Sequence, residues 1–183
     1  MKNTDFNELA KRAFENARAK GFHEVERADG HWFMLVLCEL AEAVEADRCG
    51  KCADRKEYER LVRVCEEIVH PHLFEMYIKD TVEDELADAV IRMLDFMGMK
   101  GYDINGYLSG MDLSFKDFGE GKKKPFTEEI FGIVQQFFFD EYAIYFMCDI
   151  FGLAQKFDID LMWFINEKMK YNETREVLHG KLY

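Results

Sequence analysis

Proline is nearly absent: Pro71 and Pro125 are the only two in 183 residues. Runs of alternating apolar and polar residues are absent as well, and with them the usual signature of half-buried strands. Long uninterrupted apolar runs are also missing. The most apolar stretch, Phe137 to Ala154, is broken by Asp140, Glu141 and Asp149, whereas a membrane-spanning helix needs about 20 apolar residues in a row. Basic residues are in deficit, with 24 Lys+Arg against 36 Asp+Glu and a net charge of −12. Such a chain lacks the footprint that grips duplex nucleic acid through its phosphates, and anionic membrane surfaces repel it. Binding of polyphosphates stays open, provided a divalent cation supplies the positive charge locally.

No apolar leader follows the polar start Met1-Lys2-Asn3-Thr4-Asp5, and the five cysteines are an odd number. Together these lead to the expectation of reduced thiols in a cytoplasmic protein. What the chain does have is apolar mass, 49% of residues with 17 Phe, at a length that suits a single domain spanning 1–183. Helical periodicity predicts helices over 5–20, 32–48, 54–69, 81–99, 127–155 and 159–178, with 101–126 as a loop or short-helix connection. Gly21, Gly50, Pro71, Gly98 or Gly101, and Gly180 read as stops. The fold class is all-α.

Carboxylates fall where apolar residues would be expected. From Trp32 to Arg48 the helix is apolar nearly all round, yet Glu39 and Glu42 sit three apart on one face, with Glu45 beyond them. In the segment 82–96, Glu85, Asp88, Arg92 and Asp95 form a polar stripe about 80° wide on an otherwise apolar helix. A buried carboxylate without a partner protonates, so something cationic is expected opposite. Two helices packed through these pairs would assemble four hard oxygen ligands, a set that suits Mg²⁺ or Mn²⁺ rather than zinc. The competing reading is a pair of solvated stripes, or an Arg92 that neutralises Asp88 and Asp95. On the last predicted helix Lys168, Asn172, Arg175 and His179 lie within about 60° of one another. This stripe suits phosphate oxygens, although cations near a helix C-terminus also simply favour its dipole.

Three other groups of residues invite a metal. Glu67-Ile68-Val69-His70 and Glu176-Val177-Leu178-His179 are Glu-x-x-His pairs of the kind a ferritin-like di-iron bundle needs, but Pro71 and Gly180 place both at helix ends. Cys49-Gly50-Lys51-Cys52, with Cys65, His70 and His72 beyond it, is a lone C-x-x-C. His23 and His31 read as surface or capping residues.

With these residues in place, the sequence resembles the MazG-type, all-α nucleoside triphosphate pyrophosphohydrolases. The resemblance rests on Lys20-Gly21-Phe22, the segment Leu37 to Ala46 with Glu39 and Glu42, the segment Glu83 to Ile91 with Glu85 and Asp88, and Glu167 to Arg175 followed by His179-Gly180-Lys181. It implies an all-α bundle that hydrolyses an NTP or dNTP to monophosphate and pyrophosphate with Mg²⁺ (or Mn²⁺), working as a homodimer or homotetramer. By position it implies Glu39, Glu42, Glu85 and Asp88 as metal ligands. Glu42, and after it Glu39, would be the carboxylate that takes the water's proton. Lys168, Asn172, Arg175 and Lys181 would steady the phosphates. The interval between Glu42 and Glu85 and the Phe-rich region 101–150 are both longer than the family pattern, so base and sugar preference do not carry over. A catalytically silent nucleotide-binding or interaction module with the same fold is the alternative.

Overall fold

The computed structural model describes residues 4–64, 70–110, 124–137 and 143–180. Among them every regular element is helical, and no strand occurs. In chain order the helices are α1 (Phe6–Ala19), α2 (Asp29–Arg48), α3 (Arg55–Val64), α4 (His70–Tyr77), α5 (Val82–Lys100), α6 (Ile104–Gly110), α7 (Phe126–Phe137), α8 (Ala143–Lys156) and α9 (Leu161–Thr174). A short 3-10 turn, Val177–Gly180, follows α9. No described helix is long and apolar enough to cross a membrane.

Helix α5 is the axis around which the others pack. Thr81 caps it by accepting from the Asp84 amide, three acidic residues occupy its first turn, and Gly101 ends it in the left-handed conformation at φ 71°. Leu86, Val90, Met93, Leu94 and Met97 are wholly buried, as a helix enclosed on all sides requires. It packs against α1, α2, α8 and α9. The α1 contact is close because Gly98 has no side chain: a Cβ there would sit 2.5 Å from the Ala10 carbonyl oxygen. Because α2 and α9 flank α5, their polar residues converge on its polar stripe.

Several sequence expectations need correction. The single helix expected over 127–155 is a hairpin of α7 and α8. Lys156 pairs with Glu129, and the Phe126 and Phe157 rings meet edge to face at 5.4 Å. Residues this far apart on one helix would be separated by about 40 Å at 1.5 Å per residue. Pro71, expected as a stop, lies in the first turn of α4, where its missing amide hydrogen costs nothing; residues 65–69 of the helix expected over 54–69 lie outside the described residues. Helix α2 begins three residues earlier than expected, with Asp29 in its first turn. Helix α9 ends at Thr174, before the turn that carries His179. The expected 101–126 connection does hold a short helix, α6; residues 111–123 of it lie outside the described residues.

Candidate functional site: a buried carboxylate cluster and its cleft

Helix α2 contributes Glu39, and one turn of α5 contributes Glu85 and Asp88. One carboxylate oxygen from each lies within 4.8 Å of the others. Among the described residues this is the only such grouping of three acidic, histidine or cysteine ligands. Of the four carboxylates expected to gather, three therefore meet. Glu42, one turn further along α2, is exposed and stands outside the group.

Each member has a different electrostatic situation. Glu39, 4% exposed, accepts a hydrogen bond from Arg92 Nε at 3.0 Å. Burial and the nearby Asp88 still push its carboxyl above the ordinary range, with Arg92 opposing them. Asp88 is held by Lys168 Nζ at 2.8 Å. Burial would raise its carboxyl, but Lys168 and Arg92 outweigh that and hold it below the ordinary value. Glu85 is buried and has no hydrogen-bond or ion-pair partner among the described residues. Burial, together with Asp88 and Asp84, pushes its carboxyl up to about 9.

Lys168 lies deeper than a phosphate-binding side chain should. Its side chain is 4% exposed, and its ammonium bridges Asp84 at 2.7 Å and Asp88 at 2.8 Å. Burial alone would strip its proton, yet the two aspartates more than reverse this and raise its pKa. With Glu39, Asp84, Glu85 and Asp88 all ionised, four negative charges would outnumber the positive charges of Lys168, Arg92 and the nearby Arg175. A divalent ion would offset that excess. Without one, burial keeps a proton on Glu85 instead. The donor set thus fits a hard divalent cation: three oxygens, no sulfur or imidazole, and an excess of negative charge.

Beside the cluster lies a polar cleft lined by Phe22, Asp88, Arg92, Asn172, Arg175 and His179, among others. Its open space of about 40 Å³ holds roughly three waters. Asn172 is 6% exposed, and its Oδ1 is buried without a partner, as is Nε2 of His179. Burial and the neighbouring Arg175 and Arg92 push the His179 imidazole down to about 3, so it is neutral. The His179 turn closes one side of the cleft with its ring edge to face on Phe22. Lys20 pins that turn by accepting from the Leu178 amide at 2.8 Å and donating to the Glu173 and Arg175 carbonyls. Lys181 lies outside the described residues.

The other candidates resolve differently. His23 is no surface or capping residue: its ring is 7% exposed, meets Asp95 at 2.7 Å and stacks on Trp32. His70 meets Tyr58 Oη at 2.6 Å and Glu167 at 2.9 Å, which joins α3, α4 and α9. Neither His70 nor His179 belongs to the carboxylate group, and Glu67 and Cys65 lie outside the described residues. Cys49 and Cys52 are free and exposed. Sequence reasoning missed Asp84, which reads as one more first-turn acid in Glu83-Asp84-Glu85. Its full burial against a lysine 84 positions away leaves no local mark.

Fold and site define the class as an all-α protein with a buried inter-helix carboxylate cluster. Comparison with family models, with curated proteins and with solved structures found no match to this chain.

Proposed function

We propose that the protein hydrolyses a nucleoside triphosphate (NTP or dNTP) to the monophosphate and pyrophosphate with Mg²⁺, as MazG-type pyrophosphohydrolases do, in nucleotide-pool housekeeping. One observation carries the reading: Glu39, Glu85 and Asp88 from two packed helices meet within 4.8 Å, in a cluster whose carboxylates outnumber its cations. Those three residues would hold the ion, with Mn²⁺ as a substitute for Mg²⁺. When bound, it supplies charge for the triphosphate and lowers the pKa of a bound water. Lys168 fixes Asp88 by charge, and Arg92 fixes Glu39. Glu42, exposed at the outer end of the same face of α2, takes the proton of the water that attacks the α-phosphorus. The bond from that phosphorus to its bridging oxygen breaks, and pyrophosphate leaves. Arg175 and Asn172 face the phosphates from α9 and the residue after it. The family's homodimeric or homotetrameric assembly and a cytoplasmic setting belong to the same proposal.

A second reading has one observation behind it. Arg92 and Lys168 already neutralise two of the carboxylates, as they would in a nucleotide-binding module without turnover. Product analysis separates the two. Incubation with a panel of NTPs and dNTPs should yield monophosphate and pyrophosphate with Mg²⁺ and none with EDTA. Nucleotide binding without products would favour the silent module.

A further inference from the structure

Hydrolytic sites with two metals hold their ions about 3.5–4 Å apart, with carboxylates shared between them. Asp88 has the position of such a shared carboxylate. On one side it belongs to the group with Glu39 and Glu85. On the other it accepts from Lys168 Nζ at 2.8 Å, and Asp84 meets the same ammonium at 2.7 Å. The place between Asp84 and Asp88 is thus already taken by a cation, and the chain itself supplies it.

The surroundings fix that cation in place. Asp84 is 1% exposed, and its Oδ2 accepts from the Asp80 amide at 3.1 Å as well as from Lys168. The ammonium lies 5.5 Å from the centre of the Phe74 ring and 5.9 Å from that of Tyr171, within reach of a cation–π attraction. Those two rings stack on each other at 4.5 Å. Phe74 is wholly buried and belongs to α4, within the long interval between Glu42 and Glu85. The interval therefore supplies part of the seat in which Lys168 is held, well away from solvent.

Charge and ligands both limit the number of ions. Four carboxylates, Glu39, Asp84, Glu85 and Asp88, outnumber Lys168, Arg92 and the nearby Arg175. One divalent ion offsets the excess. A second would leave a buried surplus of positive charge, which is costly away from water. Glu42, the expected fourth ligand, stands outside the group, so a second ion would also lack a carboxylate of its own.

We infer that Lys168 stands in for a second divalent ion: without nucleotide the protein binds a single Mg²⁺ or Mn²⁺ at Glu39, Glu85 and Asp88, and the ammonium between Asp84 and Asp88 is the other cation of the pair. The inference rests on the metal-binding part of the reading above and not on hydrolysis.

The test is Mn²⁺ binding to the full-length protein without nucleotide, counted by calorimetry and by the paramagnetic resonance signal of the free ion. Wild type should take up one Mn²⁺ per chain, bound at least about tenfold more weakly in Glu85→Gln. Lys168→Met removes the internal cation and keeps the volume, so its capacity should rise to two. Adding Asp84→Asn to Lys168→Met should return it to one. Two ions in wild type, none in wild type, or one in a folded Lys168→Met would overturn the inference. Circular dichroism checks the fold of each variant. If Lys168→Met stays unfolded even with Mn²⁺, the wild-type protein decides through the slowly exchanging ammonium resonance of Lys168 in ¹⁵N-labelled material. The resonance should persist when Mg²⁺ saturates the site, and its loss would show that the ion displaces Lys168 and would overturn the inference. One ion in wild type and two in Lys168→Met, without hydrolysis of any nucleotide, would defeat the proposed activity and leave the inference standing. Hydrolysis by a wild-type protein that binds two ions would do the reverse.

Discussion

Lys168 holds two buried aspartates in place, so its removal should cost more than that of an ordinary surface cation. Lys168→Met keeps the volume but leaves Asp84 and Asp88 without their counter-charge, which costs about 3–5 kcal/mol; urea denaturation in EDTA measures it. An equally stable variant would show that the bridge contributes nothing. Glu85 acts in the opposite direction. Its carboxyl ordinarily titrates at 4.5 and is raised to about 9 in the folded protein, so folding retains a proton that the unfolded chain releases. Stability is therefore whole below about pH 4.5 and is lost progressively as pH rises toward about 9. Metal-free Glu85→Gln should melt with wild type at the acid end and above it at alkaline pH, and parallel melting curves would refute the burial argument. At this scale the i, i+3 spacing of Glu85 and Asp88, and the apolar setting of Glu39, were readable in the sequence. The destination of Lys168 was not. Its stripe with Asn172 and Arg175 reads as one functional face, whereas the longer reach into the helix interface is set by Asp84. The His23–Asp95 pair was hidden for the same reason, since 72 residues separate two partners that only packing joins.

Among the elements, the α1–α5 contact is the most sensitive to a single methyl group. Gly98→Ala places a Cβ 2.5 Å from a backbone oxygen, where no side chain can rotate away. The helices must separate, at about 1–3 kcal/mol, and a lowered melting temperature should report it. Tyr58 ties α3 to α9 by donating to Glu167 at 2.8 Å while buried to 2% exposure. Tyr58→Phe should lose about 1–3 kcal/mol without changing helix content by circular dichroism; a neutral substitution would mean the network does not hold α3 in place. Helix existence was legible wherever stops and periodicity agreed, as at Gly101, which ends α5. The α7–α8 hairpin was not, because Phe137-Phe138-Phe139-Asp140-Glu141-Tyr142 contains neither glycine nor proline. Apolar periodicity carries on through it, so a sequence reading extends one helix where α7 and α8 pack side by side. Pro71 misled in a complementary way. Proline stops one helix and starts another with equal ease, and only the neighbours of α4 decide which.

The whole molecule brings the acidic composition and the buried cluster to a common consequence. An ion that binds the folded cluster and not the unfolded chain stabilises the protein in proportion to the logarithm of its concentration. Mg²⁺ should therefore raise the melting temperature of wild type, and Glu85→Gln or Asp88→Asn should abolish that rise. A rise that persists in both variants would place the ion elsewhere. The all-α class was fully legible, since no alternating run marks a strand and helical periodicity covers most of the chain. The arrangement of α2 and α9 on either side of α5, which turns separate motifs into one cluster, follows from tertiary packing that no local pattern encodes. The proposed reaction is tested most directly by product analysis over a panel of canonical and modified NTPs and dNTPs, with Mg²⁺ and with EDTA. Equimolar monophosphate and pyrophosphate are expected with Mg²⁺, lost in EDTA and lost in Asp88→Asn of unchanged helicity. Release of inorganic phosphate with a diphosphate, or turnover that survives both EDTA and the variant, would contradict it.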